Sequence, residues 1–396
     1  MINCLRRLSH SVAVALLVLC AVRNVPHAAT AAPSCEIDGV ERIVAVGDVH
    51  GAYDRYVAIL RAAETIDDRL QWAGGKTHFV QLGDVVDRGP DSRKALDLLR
   101  RLESEAPRAG GQVHMLLGNH EVARMLGDLR YVTPGEYEAF ATPESEAIRR
   151  RFLENVPPGK REQVVKETPL GLVEMRLAFG REGVYGKWLR ALPAVVKING
   201  IVFLHGGIGP AVASLSCGAI NATVHDDLTV NLDKTRAAPL STLTAREDGP
   251  LWYRGLAQEP DTFGPQVAEI LLKQQAQAIV IGHTVVPDGR INVRFGGKVI
   301  QIDTGMQPAH SPNGRASALE ISHGVFMAIY EDRRDVLTVG PKPSASWRSE
   351  WEARPTEVFT VVSDVRGQAD CRRDPRDPVL RPVFLQRSRQ PFACLH

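Results

Sequence analysis

Cysteine is scarce, with six in 396 residues, and no pair has the spacing of a metal site, so a structural zinc module is excluded. Beyond the first thirty residues there is no run of 18 or more apolar residues, so no later segment can form an ordinary membrane-spanning helix. A strong charge of either sign is also missing, since the formal net charge is +2. A near-neutral chain has no long-range field to draw in nucleic acid or an anionic membrane surface. No internal repeat is visible. With 44% hydrophobic residues, the chain can build a sizeable core, and its length suits one catalytic domain with insertions.

The N-terminus stands apart. Arg6 and Arg7 precede the apolar run Val12–Val22, and Ala28, Ala29 and Ala31 follow. This is the layout of a secretory signal peptide over residues 1–31, and an exported protein, periplasmic or secreted, is expected. An uncleaved anchor is the other reading. A lipoprotein signal at Cys20 is disfavoured by the bulky Leu19 before it. Loss of residues 1–31 removes three Arg and no acid, taking the net charge from +2 to −1. Cys35, Cys217, Cys371 and Cys394 would remain, and an even number in an exported chain suggests disulfides with three connectivities. Cys371 with Cys394 is the preferred pair, because both lie in one poorly packed tail.

From residue 42 to about 125 the pattern alternates between strands and helices. Ile43–Val46, His78–Leu82 and Val113–Leu117 are short apolar runs that each stop at a Gly. Tyr53–Ala63 and Ser92–Leu102 carry helical apolar spacing between them. Ligands of open α/β sheets bind beyond the carboxyl ends of strands, and here those ends carry Asp, His and Asn. Residues 127–190, rich in Glu, Arg and Pro, read as a helical insertion, either a cap beside the site or a solvated spacer. Strands resume at Val195–His205, with Asn199-Gly200 as a hairpin turn, and continue at Ala278–Ile281, Val299–Ile302, Ala316–Ile321 and Val325–Tyr330. The catalytic domain is expected to span 42–335. Residues 340–396 read as a Pro- and Arg-rich tail with one apolar run, Val358–Val362.

Five short segments follow apolar strands in order. They are Gly47-Asp48-Val49-His50-Gly51, Gly83-Asp84-Val85-Val86-Asp87-Arg88-Gly89, Gly118-Asn119-His120-Glu121, His205-Gly206-Gly207 and Gly282-His283-Thr284. Each is weak alone; the ordered set is not. Two metal ions a few ångströms apart need a bridging carboxylate, with imidazole, carboxylate and amide oxygen completing their shells. An Arg can grip two phosphate oxygens with its planar fork, and a His held by an Asp can protonate a leaving group. His78, His114 and His225 have no such context and read as structural. Asn221-Ala222-Thr223 matches a glycosylation acceptor, relevant only in a eukaryotic secretory pathway.

The set resembles the calcineurin-like metallophosphoesterases, and its fuller form is similar to the phosphoprotein phosphatases. Tyr185-Gly186-Lys187-Trp188-Leu189-Arg190 and Leu251-Trp252-Tyr253-Arg254-Gly255 look like the Shewanella-like branch. The likeness runs over residues 42–330. It implies a four-layer α/β sandwich, two mixed sheets flanked by helices, with the site at one edge. It also implies that Asp48 and His50 bind one metal, that Asp84 bridges, and that Asn119, His205 and His283 bind the other. His120 would be the general acid paired with Asp87, and Arg88, Asn119 and Arg254 would hold the substrate phosphate. Mn is the preferred ion, with Fe or Zn also suited.

The implied reaction is phosphomonoester hydrolysis by metal-bound hydroxide, with phosphoprotein at Ser/Thr or Tyr as the favoured substrate. A small-molecule hydrolase, for example of dinucleoside polyphosphates, is one rival, and an inactive binding scaffold is another. Two departures leave the substrate open. Ile281-Gly282-His283 stands where eukaryotic relatives have Arg-Ala-His, and Ile302-Asp303-Thr304-Gly305-Met306 replaces a late Ser-Ala-Pro-Asn-Tyr loop.

Overall fold

The computed structural model describes residues 35–339 and the backbone of two further strands, Thr360–Ser363 and Ala369–Arg372. The expected signal peptide and most of the expected tail lie outside the described residues.

Among the described residues 35–339, twelve strands form two sheets. They are β1 (Glu36–Ile37), β2 (Arg42–Val46), β3 (His78–Gln81), β4 (Gln112–Met115), β5 (Val195–Ile198), β6 (Ile201–Leu204), β7 (Ala278–Ile281), β8 (Asn292–Arg294), β9 (Val299–Gln301), β10 (Ser317–Ser322), β11 (Val325–Tyr330) and β12 (Arg334–Leu337). One sheet runs β1-β5-β6-β7-β9-β8 and the other β12-β11-β10-β2-β3-β4. Each is mixed around a parallel trio: β6-β7-β9 in the first and β2-β3-β4 in the second. The turn between β5 and β6 uses Asn199 and Gly200 at φ of 51° and 73°, the left-handed pair that a two-residue hairpin requires.

The strands read as unbroken apolar runs because both their faces are buried. Ile43, Ala45, Val80, Phe203, Val280, Ile300 and Leu319 pack together between the sheets. Their neighbours Val44, Val46, Phe79, Leu204, Ile279 and Ile281 belong to a second cluster with the helices. Burying one such Ile or Phe side chain contributes roughly 1.5–3 kcal/mol. Helix α1 (Tyr53–Ala62) buries Tyr56, Ile59 and Leu60, and α2 (Ser92–Glu105) buries Ala95, Leu98, Leu99 and Leu102, both at helical spacing. Helix α3 (Asn119–Leu126) stops at Gly127, whose φ of 94° makes it a left-handed C-terminal residue.

Residues 127–190 contribute helices α4 (Pro134–Glu138), α5 (Ser145–Glu154), α6 (Arg161–Lys166), α7 (Leu172–Phe179) and α8 (Val184–Arg190). This stretch is part solvated and part packed. Helices α5 and α6 are largely solvated, whereas Met175, Phe179, Tyr185 and Leu189 join the main core. Tyr185 Oη donates to Asp97 Oδ1 at 2.6 Å, and Trp188 Nε1 donates to Glu103 Oε2 at 2.8 Å, fixing α8 against α2.

Cys35 and Cys217 form a disulfide, with Cα atoms 6.1 Å apart. Cys394 and the side chain of Cys371 lie outside the described residues, and with them the expected Cys371–Cys394 pair. Asn221 is no free glycosylation acceptor. Its side chain accepts from Ala194 and Val195 N–H and donates to Val195 O, so its amide is spent on the fold. In the tail, Thr360–Ser363 and Ala369–Arg372 pair antiparallel, which the composition did not indicate. No helix among the described residues is long and apolar enough to cross a membrane.

Candidate active site

The carboxyl ends of the two parallel trios meet at one edge of the sandwich. Asp48 and His50 follow β2, Asp84 to Arg88 follow β3, and Asn119 and His120 open α3 after β4. From the other sheet come His205 after β6, His283 after β7 and Asp303 after β9. His50, Asp84, Asp87, Arg88 and His283 all have positive φ, between 48° and 73°. Non-Gly residues there cost on the order of 1 kcal/mol each, so other contacts must hold these loops.

Glu121 is the main fastener. It is fully buried, and its carboxylate accepts from the backbone N–H groups of Gly118 (2.9 Å), Asp84 (2.8 Å), Val85 (2.8 Å) and Val86 (3.3 Å). Asp84 Oδ1 in turn accepts from His120 N at 2.9 Å, and Asp48 Oδ1 from His283 N at 3.0 Å. Two glycines permit this approach: a Cβ on Gly118 would sit 2.2 Å from Asp84 Oδ1, and one on Gly282 would sit 2.5 Å from Asp48 Oδ1.

The side chains present acceptors to one another. His205 Nδ1 lies 2.9 Å from the Leu82 carbonyl, so its neutral form donates there and leaves Nε2 as a bare lone pair. That Nε2 faces Asn119 Oδ1 at 2.9 Å, His283 Nδ1 at 3.1 Å and Asp84 Oδ2 at 3.2 Å. His50 repeats the logic. Its Nδ1 donates to Val86 O at 2.9 Å, and its Nε2 faces the carboxylates of Asp48 and Asp84, each at 3.7 Å. Asp84, His205 and His283 form one set of converging ligand atoms, and Asp84 with His50 and His120 a second that shares Asp84. Ligands about 2.1 Å from an octahedral ion lie about 3 Å apart, which matches the first set. Lone pairs gathered this closely repel until cations sit among them, so the residues fit divalent metals.

The electrostatics agree. Burial, with Asp303 and Asp84 close by, pushes the Asp48 carboxyl well above its usual range. Burial lowers His50 to about 3 and His283 to about 2, keeping both as neutral ligands. Asp84 is buried too, but the neighbouring His205, His120 and His50 hold it well below the carboxylate range.

His120 is set apart by its hydrogen bonds. Its Nδ1 is 2.6 Å from Asp87 Oδ2, and its Nε2 lies 3.3 Å from Arg88 Nη2 and 3.9 Å from Asp84 Oδ2. Burial works against its imidazolium, but Asp84 and Asp87 outweigh it and raise the pKa. The ring is thus held at Nδ1 by Asp87, with Nε2 facing Arg88 and Asp84. Arg88 also lies beside the exposed Tyr131, whose ring centre is 4.9 Å from that of His120. Arg254 is no remote surface residue: its Nη1 donates to His283 O and Thr284 Oγ1, both at 2.9 Å.

All ten residues singled out in the sequence therefore cluster at this edge. Sequence reasoning gave no role to Glu121, Arg124, Tyr131, Glu136 or Asp303. The first carries a signal, an acid at the third position of a helix whose cap lacks a side chain. The others are brought in by tertiary packing.

A profile for calcineurin-like phosphoesterase matches residues 41–287, more than half of the chain. The chain belongs to the calcineurin-like phosphoesterase family. Shewanella-like protein phosphatase 2 of Arabidopsis thaliana is 29% identical over 299 residues, 71% of this chain and 75% of the relative. Shewanella-like protein phosphatase 1 of Plasmodium berghei is 28% identical over 269 residues, 67% of each. Among solved structures, the cold-active protein-tyrosine phosphatase of a psychrophile Shewanella sp. superposes with a TM-score of 0.62 at 28% identity, covering 77% of this chain and 82% of that one. As a calcineurin-like phosphoesterase, this chain is a hydrolase of a family that works with divalent metal ions, and the buried side chains gathered around Asp84 could hold them.

Proposed function

We propose that this phosphoesterase hydrolyses phosphomonoesters on proteins, that it uses two divalent ions with Mn preferred, and that it acts outside the cytoplasm. The observation carrying the reaction class is the convergence of His205 Nε2, His283 Nδ1, Asn119 Oδ1 and Asp84 Oδ2 beside the His120–Asp87 pair. Asp48, His50 and Asp84 would hold one ion, and Asp84, Asn119, His205 and His283 the other. When bound, such ions acidify a water and neutralise phosphoryl oxygens. The chain's own residues do the rest. Arg88 and Arg254 bring planar cations to the phosphate, with Asn119 beside them. Asp87 fixes the His120 ring, and Nε2 gives its proton to the departing ester oxygen.

The phosphoprotein substrate is supported by the protein phosphatases among the relatives and by Tyr131, an exposed ring against which a substrate side chain can lie. Export is supported by the N-terminal pattern and by the Cys35–Cys217 disulfide, since such bonds persist in oxidising compartments. The test is a parallel assay of phosphoserine, phosphothreonine and phosphotyrosine peptides, dinucleoside polyphosphates and sugar phosphates with Mn, alongside metal analysis. Phosphopeptides should be the best substrates. Preference for a dinucleoside polyphosphate by about 100-fold or more would overturn the assignment.

A further inference from the structure

The His120–Asp87 pair does not stand alone. Arg124 lies one turn after His120 on α3, so both side chains leave the same helix face. Its Nη2 donates to Asp87 Oδ1, while Asp87 Oδ2 receives His120 Nδ1–H. The same Nη2 donates to Glu136 Oε1 at 2.9 Å. Glu136 belongs to α4, the first helix of the insertion, and Oε1 also accepts from the Asp87 backbone N–H at 3.2 Å and from the Ser92 hydroxyl. Helix α7 closes the other side, with Met175 Sδ 3.4 Å from Arg124 Nη1 and the Phe179 ring centre 5.1 Å from Cζ. Asp87, Arg124 and Glu136 are exposed by only 1%, 3% and 1%.

Three buried charges are costly to assemble, and replacing such a triad with apolar groups often stabilises a protein. A purely structural prop needs no such arrangement here. What the arrangement does is hold Asp87, at a strained φ of 73°, from two directions and so fix its bond to His120. We propose that Arg124 and Glu136 are positioning residues for the His120 proton donor, and that the insertion thereby belongs to the catalytic apparatus. The inference rests on the phosphomonoesterase reading. In the step concerned, a water oxygen bonds to phosphorus as the ester P–O bond breaks. The leaving oxygen takes the proton of His120 Nε2, and the proton shed by the water returns through solvent to His120.

A misaimed donor matters most when the leaving group is basic. Phenyl phosphate needs that proton; 4-nitrophenyl phosphate scarcely does. Arg124→Met alone strands two buried carboxylates, so the informative protein is Arg124→Met/Glu136→Gln, which removes both partners' charges. It should keep its metal content and fold cooperatively, with a melting temperature a few degrees lower because Asp87 Oδ1 loses its Arg partner. Its kcat/KM for phenyl phosphate should fall about 10-fold or more beyond the fall for 4-nitrophenyl phosphate. On an Asp87→Asn background the double change should leave that ratio unmoved. Glu136→Gln alone should shift the ratio in the same direction, and decides the matter if neither Arg124 variant folds. Equal losses on both esters would overturn the inference alone. A wild type that hydrolyses neither ester would overturn the phosphomonoesterase reading, and this inference with it.

Discussion

Glu121→Gln puts a number on how the site is held. The wild-type carboxylate receives four backbone N–H groups, two on each oxygen. A Gln oxygen keeps two of them. The Gln amide then points donors at the other two, inside a site with no exposure at that residue. Each buried N–H left without an acceptor costs about 1–3 kcal/mol, so a loss of about 2–6 kcal/mol is expected. With an unfolding entropy of about 2.1 cal/mol/K per residue, a domain of this size should melt roughly 3–9 °C lower. The same N–H groups set the backbone of Asp84, so metal affinity should fall about 10- to 100-fold, as for other residues behind a metal ligand. Calorimetry of the metal-free protein and a Mn titration measure the two effects separately. A variant within about 1 °C of wild type, with unchanged metal affinity, would refute the fastening role.

Other consequences can be checked directly. His120→Ala should slow phenyl phosphate far more than 4-nitrophenyl phosphate, and equal losses would argue against a proton donor. Arg254→Ala removes a cation held 2.9 Å from His283 O and should weaken competitive inhibition by inorganic phosphate about 10-fold or more; an unchanged inhibition constant would remove Arg254 from the phosphate site. Burial, then the neighbouring His78, depress His114 to about 4. Because the unfolded chain binds the proton nearer pH 6.5, stability is intact above that value and drains as pH falls toward 4. The loss attributable to His114 should be about 1 kcal/mol by pH 5.5, and His114→Gln should flatten that slope in denaturant titrations.

Much of this was legible in the sequence because the two sheets bury both faces of their strands. Ala278–Ile281 and Val325–Tyr330 start and stop where their apolar runs do. Strands with a wet face were not legible. Arg334–Leu337 alternates exposed and half-buried residues at a sheet edge, and Asn292–Arg294 carries two polar residues out of three. The helix Cys217–Leu228 was hidden by Gly218, Asn221 and Thr223, poor helix formers that tertiary packing overrides. At the site, the candidate ligands could be picked out because each lies in the short segment that follows a strand end. Arg124 and Glu136 could not, since their meaning lies in a contact with Asp87 across 37 and 49 residues.

The central claim is that Asp84 joins two metal sites into one hydrolytic centre. The most direct measurement is bound Mn per chain together with phosphate release, for the wild type and for Asp84→Asn. The wild type should hold two ions and release phosphate from an aryl phosphate. Asp84→Asn should stay folded, hold fewer than two, and lose turnover by about 1,000-fold or more. Near-normal turnover in a folded Asp84→Asn protein would contradict the account.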